Sequence, residues 1–260
     1  MRQKPKLGQN FLVDPTAGVA VVDALGDISR DTVIEIGPGS GALTQILASR
    51  AHRIITIELD RELAARLRSE FPAIEVIEAD VLTIDIGALG MPPEKLHVVG
   101  NLPYYITSPI LLHLFEYSGS IANAVLMMQR EVADRVAASP GSRDYGLLSA
   151  TAQLYASIER VLTLPPTAFM PPPEVHSTVL RFTMRSRFAE LDVAPEAFLP
   201  FLRQSFAQKR KTLGRNLRAA SFDARTVVEA LKKAEIPPTA RAEELSLERM
   251  AALWRALQQN

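Results

Sequence analysis

A glycine-rich turn follows a short apolar run at Val33-Ile-Glu-Ile-Gly37-Pro-Gly39-Ser-Gly41. Glycine lets the backbone leave a strand, turn sharply and enter a helix with no Cβ in the way. A strand, a glycine turn and a helix in that order open a parallel crossover unit, and the chain continues in that style. Asp31–Ile36 is predicted to be a buried strand and Ala42–Arg50 a helix. Arg53–Glu58 reads as a second strand, Arg61–Glu70 as a charged helix and Ile74–Glu78 as a third strand. Leu96–Val99 is a fourth, ending at Gly100-Asn101. Ser108-Pro109 offers an N-cap and first-turn proline for a helix to about Tyr117. Ala124–Met128 is a fifth strand and Glu131–Ala138 a helix. The alternation predicts an α/β fold, a doubly wound and mostly parallel sheet of Rossmann-like type.

Pro165–Pro173 holds five prolines in nine residues and is expected to be an ordered loop or rigid lip. Ser177–Phe182 alternates as a sheet strand. Beyond Arg187 the pattern is helical only, over Pro195–Gln208, Thr212–Ala219, Ala224–Ala234 and Ser246–Leu257. The change predicts two domains, 1–184 with the sheet and 185–260 as a small all-helical unit. Such a division suits a chain of 260 residues.

Cysteine is absent, which excludes a disulfide framework, thiolate catalysis and cysteine-ligated metal. His52, His97, His113 and His176 are scattered without ligand spacing, so no metal is expected. No apolar run is long enough to span a membrane. The basic start, Met1 to Lys6, leads into no signal-peptide stretch, and a cytoplasmic protein is expected. Lys+Arg and Asp+Glu are 29 each. The balance argues mildly against nucleic acid, but its distribution is uneven. Arg203, Lys209, Arg210, Lys211, Arg215 and Arg218 lie in an acid-free stretch; Arg2, Lys4 and Lys6 open the chain; Arg181, Arg185 and Arg187 form a third group. A neutral total can hide a one-sided positive face.

Two acids extend the glycine turn into a candidate nucleoside site. Glu58 closes the second strand, where a carboxylate can accept from both ribose hydroxyls. Asp80 closes the third, where a side chain meets an adenine edge. Asp60 reads as a helix N-cap. The spacing of Gly37, Gly39 and Gly41 is G-x-G-x-G rather than the dinucleotide G-x-G-x-x-G, which leans toward S-adenosylmethionine over NAD without separating them. Met127-Met128 and Trp254 are expected in the core.

Asn101-Leu102-Pro103-Tyr104 follows the fourth strand and is similar to the signature of methyltransferases acting on planar exocyclic amines. An adenine amino nitrogen is a poor nucleophile because its lone pair is delocalised. The Asn101 side-chain oxygen and the Leu102 carbonyl can each accept one N–H bond and favour a more pyramidal nitrogen. Pro103 stiffens the turn, and Tyr104 can stack on the base.

With these residues in view, the chain resembles the KsgA/RsmA-type ribosomal RNA adenine dimethyltransferases over nearly its whole length. Gln9-Asn-Phe-Leu12, Gly37-Pro-Gly-Ser-Gly-Ala-Leu-Thr44, Asn101–Tyr104, the Pro166–Ser177 signature and Lys209-Arg-Lys-Thr-Leu213 with Asn216-Leu217 carry the likeness. The resemblance implies S-adenosylmethionine contacts at Asn10, Leu12, Gly37, Glu58, Asp80 and Asn101, with Gly39 and Gly41 completing the turn. It implies that Tyr104 and Phe169 sandwich the target base. It further implies dimethylation of two adjacent adenines in a hairpin near the 3′ end of small-subunit rRNA. The basic stretch itself predicts that Lys209, Arg210, Lys211 and Arg215 touch RNA. The zero net charge points to a partly assembled, immature 30S-type particle as the substrate, where shape supplies some of the affinity, and a monomer is the simplest expectation. Alternatives are the related large-subunit rRNA methyltransferases, which usually carry Ile at the Leu102 position, an assembly factor whose main role is binding, and a nicotinamide dehydrogenase.

Overall fold

The computed structural model describes residues 10–91 and 96–259. Gln9 of the opening motif and Arg2, Lys4 and Lys6 lie outside the described residues. The chain divides into two compact units, 1–133 with 156–184, and 134–155 with 185–260.

The first unit starts with a two-residue strand, β1 (Phe11–Leu12), and a helix, α1 (Pro15–Asp23), that Asp14 caps through its side chain. Then come β2 (Thr32–Ile36), α2 (Ala42–Leu47), β3 (Arg53–Glu58), α3 (Arg61–Glu70), β4 (Glu75–Glu78), β5 (Leu96–Asn101), α4 (Thr107–Glu116) and β6 (Ile121–Gln129). The short helix α5 (Arg130–Val136) follows, and then α6 (Leu147–Tyr155), which belongs to the second unit. The chain returns through β7 (Ala156–Leu164), β8 (Phe169–Met170) and β9 (Ser177–Met184). The seven-stranded sheet runs β4-β3-β2-β5-β6-β9-β7. Its first five strands are parallel, and β9 is antiparallel to both β6 and β7.

The order reverses at β2, whose neighbours are β3 and β5. Ligands of open α/β sheets bind in the crevice beyond the carboxyl ends of strands at such a switch point. Ile36 stands opposite both Ile57 and Gly100, so the glycine turn, Glu58 and Asn101 leave the sheet side by side. The register needs a glycine at position 100, since a Cβ there would lie 2.6 Å from the Ile36 carbonyl oxygen. All five β2 residues are buried, as expected of a central parallel strand.

Helix α4 begins at Thr107 with Ile106 before it, so Ser108 is not its N-cap. The Thr107 hydroxyl instead donates to the Pro103 carbonyl at 3.1 Å. The elements α1, α6 and β7 and the two-residue strands β1 and β8 were not legible, and α6 changes the domain division. The expected first domain of 1–184 included 134–155. Those residues instead join the helical unit, because Tyr145, Ala150 and Leu154 pack with Phe198, Phe201 and Leu217.

The helical unit is completed by α7 (Pro195–Ser205), α8 (Leu213–Ala219), α9 (Ala224–Lys233) and α10 (Leu247–Gln258) around that core. Trp254 packs there with its ring centroid 5.1 Å from that of Phe201. Among the described residues, no helix is long and apolar enough to cross a membrane.

Candidate active site

Gly37, Gly39 and Gly41 all take positive φ, which L side chains rarely adopt. The Gly37 amide donates to the Ile57 carbonyl at 2.9 Å and the Gly41 amide to the Pro38 carbonyl at 2.9 Å. The Gly39 amide donates to Glu58 Oε2 at 3.1 Å. Glu58 Oε1 accepts from the Asp60 amide at 2.9 Å, and Asp60 caps α3 as expected. Glu58 is buried, and burial raises its pKa against the pull of these amides. Each carboxylate oxygen has two acceptor positions, so both can still accept from a ribose diol. Asp80 uses Oδ1 to cap the short 3₁₀ turn Val81–Thr83 through the Leu82 amide at 3.0 Å.

Glu35 was missed by sequence reading. It lies buried in β2 beneath the turn and accepts from the Thr44 hydroxyl at 2.6 Å. Burial raises its pKa to about 7, opposed by the Thr44 bond and reinforced by the nearby Glu58 charge. Its signal was an acid inside the apolar run Thr32–Ile36.

The Asn101–Tyr104 turn is pinned on several sides. Asn101 Nδ2 donates to the Asn10 carbonyl at 2.8 Å, which leaves Oδ1 as the acceptor. The Leu102 amide donates to the Met127 carbonyl of β6 at 2.9 Å. The Tyr104 hydroxyl is 2.8 Å from the hydroxyl of Ser177, a buried residue of β9, and burial raises the tyrosine pKa.

Two adjoining cavities meet at Gly37 and Pro103. One, of about 430 Å³, is lined by Asn10, Phe11, Gly39 and Asn101–Tyr104. The other, of about 470 Å³, places Glu58 and Asp80 among the apolar walls of Ile57, Val81, Ile106 and Ile110. The glycine turn and the amine-binding turn therefore open into the same space.

Three expected site residues do not line it. Phe169 and Leu12 pair across the β1–β8 ribbon and are 1% and 4% exposed, both in the apolar core. Side chains alternate across a ribbon, so the same pairing turns Phe11 and Met170 to the other face. Gly41 also stands back from the cavities: a Cβ there would lie 3.1 Å from the Phe71 ring, and the residue serves as the N-cap of α2. Phe11, quoted in the opening motif but given no role of its own there, lies over Gly39, where a Cβ would approach the Phe11 ring to 2.7 Å.

In the helical unit, Lys209, Arg210 and Lys211 are exposed in the turn between α7 and α8, and Arg215 is exposed on α8. Lys209 Nζ donates to the Arg143 carbonyl at 2.7 Å. The buried Asn216 holds this turn by donating from Nδ2 to the Ser205 carbonyl at 2.7 Å and the Gln208 carbonyl at 3.2 Å.

The family described as ribosomal RNA adenine dimethylase matches residues 1–259. The chain belongs to that family. Ribosomal RNA small subunit methyltransferase A of Acidobacterium capsulatum is 62% identical over 260 residues, covering 99% of this chain and 92% of the relative. Its namesake in Koribacter versatilis is 50% identical over 270 residues, covering 98% and 94%. A crystal structure of a dimethyladenosine transferase from Plasmodium falciparum shares the fold, with a TM-score of 0.82 at 23% identity, over 96% of this chain and 98% of that one. The 23S rRNA methyltransferase ErmE has a TM-score of 0.72 at 28% identity, over 96% of this chain and 100% of that one.

As a member of the ribosomal RNA adenine dimethylases, the chain is an S-adenosylmethionine-dependent methyltransferase. The residues fit that cofactor. A buried carboxylate at Glu58 suits a ribose, the apolar walls around Asp80 suit a purine, and the side-chain-free Gly37 lets a ligand approach the neighbouring Asn101 backbone.

Proposed function

We propose that the chain dimethylates N6 of two adjacent adenines in a hairpin near the 3′ end of small-subunit rRNA. One observation carries this reading: Gly37, Gly39 and Asn101–Tyr104 line one cavity. The names and identities of the bacterial relatives support the small subunit as substrate, and so does Leu102, where large-subunit enzymes usually carry Ile.

S-adenosylmethionine, when bound, supplies a methyl group already activated by its sulfonium charge. The work of the chain is then to place and desolvate the amine. Glu58 and Asp80 hold the nucleoside. Asn101 Oδ1 and the Leu102 carbonyl accept from the amino group and draw its lone pair out of the ring. Tyr104 stacks on the extruded base, which offsets part of the few kcal/mol that unstacking costs. Lys209, Arg210, Lys211 and Arg215 contact phosphates of an immature 30S-type particle, and the protein acts as a cytoplasmic monomer.

Primer-extension mapping on unmethylated small and large subunits tests the reading. Stops are expected at two neighbouring adenines of the small subunit, and modification confined to the large subunit would overturn it. Neutralising Lys209, Arg210 and Lys211 together is expected to weaken particle binding and flatten its salt dependence.

A further inference from the structure

The β1–β8 ribbon has two faces. Leu12 and Phe169 fill the core, whereas Phe11 and its cross-strand partner Met170 turn the other way. Phe11 is a wall of the amine-binding cavity. Met170 stands opposite Phe11 on the same face of the ribbon and is 50% exposed. Val13, two residues beyond Phe11, is held to the ribbon by its amide, which donates to the Ala168 carbonyl at 2.9 Å, and is 53% exposed. Two large apolar side chains are thus left in water on the ribbon that carries Phe11 into the cavity wall.

We propose that Met170, with Val13 beside it, is the platform for the nucleobase adjoining the target adenine. Extruding one base strips a stacking partner from its neighbour, and the exposed π-face then needs an apolar cover. A polarizable thioether meets aromatic rings favourably and adapts to either a purine or a pyrimidine. Leu12 and Phe169 fix the ribbon from below, so the platform is held in place before RNA arrives. The inference rests on the RNA-methylating reading above and adds to it a residue that selects how the strand enters.

The test uses the full chain and reconstituted small-subunit particles whose rRNA carries an intact, a 5′-abasic or a 3′-abasic nucleotide beside one target adenine. Met170→Ala is expected to lower kcat/KM on the intact particle by about three- to tenfold, with unchanged S-adenosylmethionine affinity by calorimetry and unchanged melting temperature. Met170→Leu restores most of the efficiency, and Met170→Glu loses more than Met170→Ala. On one of the two abasic particles the wild type is itself impaired and Met170→Ala adds no further loss. An equal fold-loss on all three particles, or none on the intact one, would overturn the inference alone. Failure of the wild type to methylate the intact particle would overturn the underlying reading and this inference with it.

Discussion

Asn101 and Asn10 lie 91 residues apart in sequence, yet the Asn101 side-chain amide donates to the Asn10 carbonyl at 2.8 Å. This bond fixes which end of the amide faces the cavity. With the nitrogen committed to the Asn10 carbonyl just before β1, the oxygen is presented as an acceptor, the polarity an amino substrate requires.

Asn101→Ala is expected to reduce the single-turnover methylation rate by about 10²–10³-fold, the scale for losing one positioned polar group at a reacting centre. Its unfolding free energy should change by no more than about 1 kcal/mol. A rate within tenfold of wild type would remove Asn101 from the acceptor role.

Tyr104 and Ser177 act as one unit across 2.8 Å. Tyr104→Phe and Ser177→Ala are each expected to raise KM for the particle more than they alter S-adenosylmethionine affinity. The double variant should be little worse than either single one, with a coupling of about 1 kcal/mol. Additive losses in the double-mutant cycle would show that the two hydroxyls act independently.

Phe169→Ala should chiefly destabilise the fold, because Phe169 is 1% exposed within the core. Truncating a buried phenylalanine costs about 3–5 kcal/mol, readable by urea unfolding. A stable variant with lost turnover would instead place the ring against substrate.

Glu35 predicts the pH dependence of stability. Its pKa rises from 4.5 to about 7 on folding, so the folded state holds its proton more tightly than the unfolded chain. The associated stability is complete below about pH 4.5 and is lost as pH rises through about 7, by about 3 kcal/mol in all. Glu58 is shifted in the same direction. Glu35→Gln should flatten this slope between pH 5 and pH 8 in denaturant titrations at about those limits. An unchanged slope would show that Glu35 is not its source.

Sequence alone determined the mostly parallel sheet, the glycine turn, the Asp60 cap and the strand-end positions of Glu58 and Asn101, while Asp80 lies two residues past the end of β4. Each is a local matter: a periodicity, a positive φ or the last residue of a strand. Tertiary structure decided which face each ribbon residue shows, and so put Phe169 in the core and left Met170 exposed, because alternation gives two faces but not which one is covered. It also placed 134–155 with the helical unit and joined Asn10 to Asn101. Those outcomes depend on contacts between segments far apart along the chain, and no local pattern encodes them.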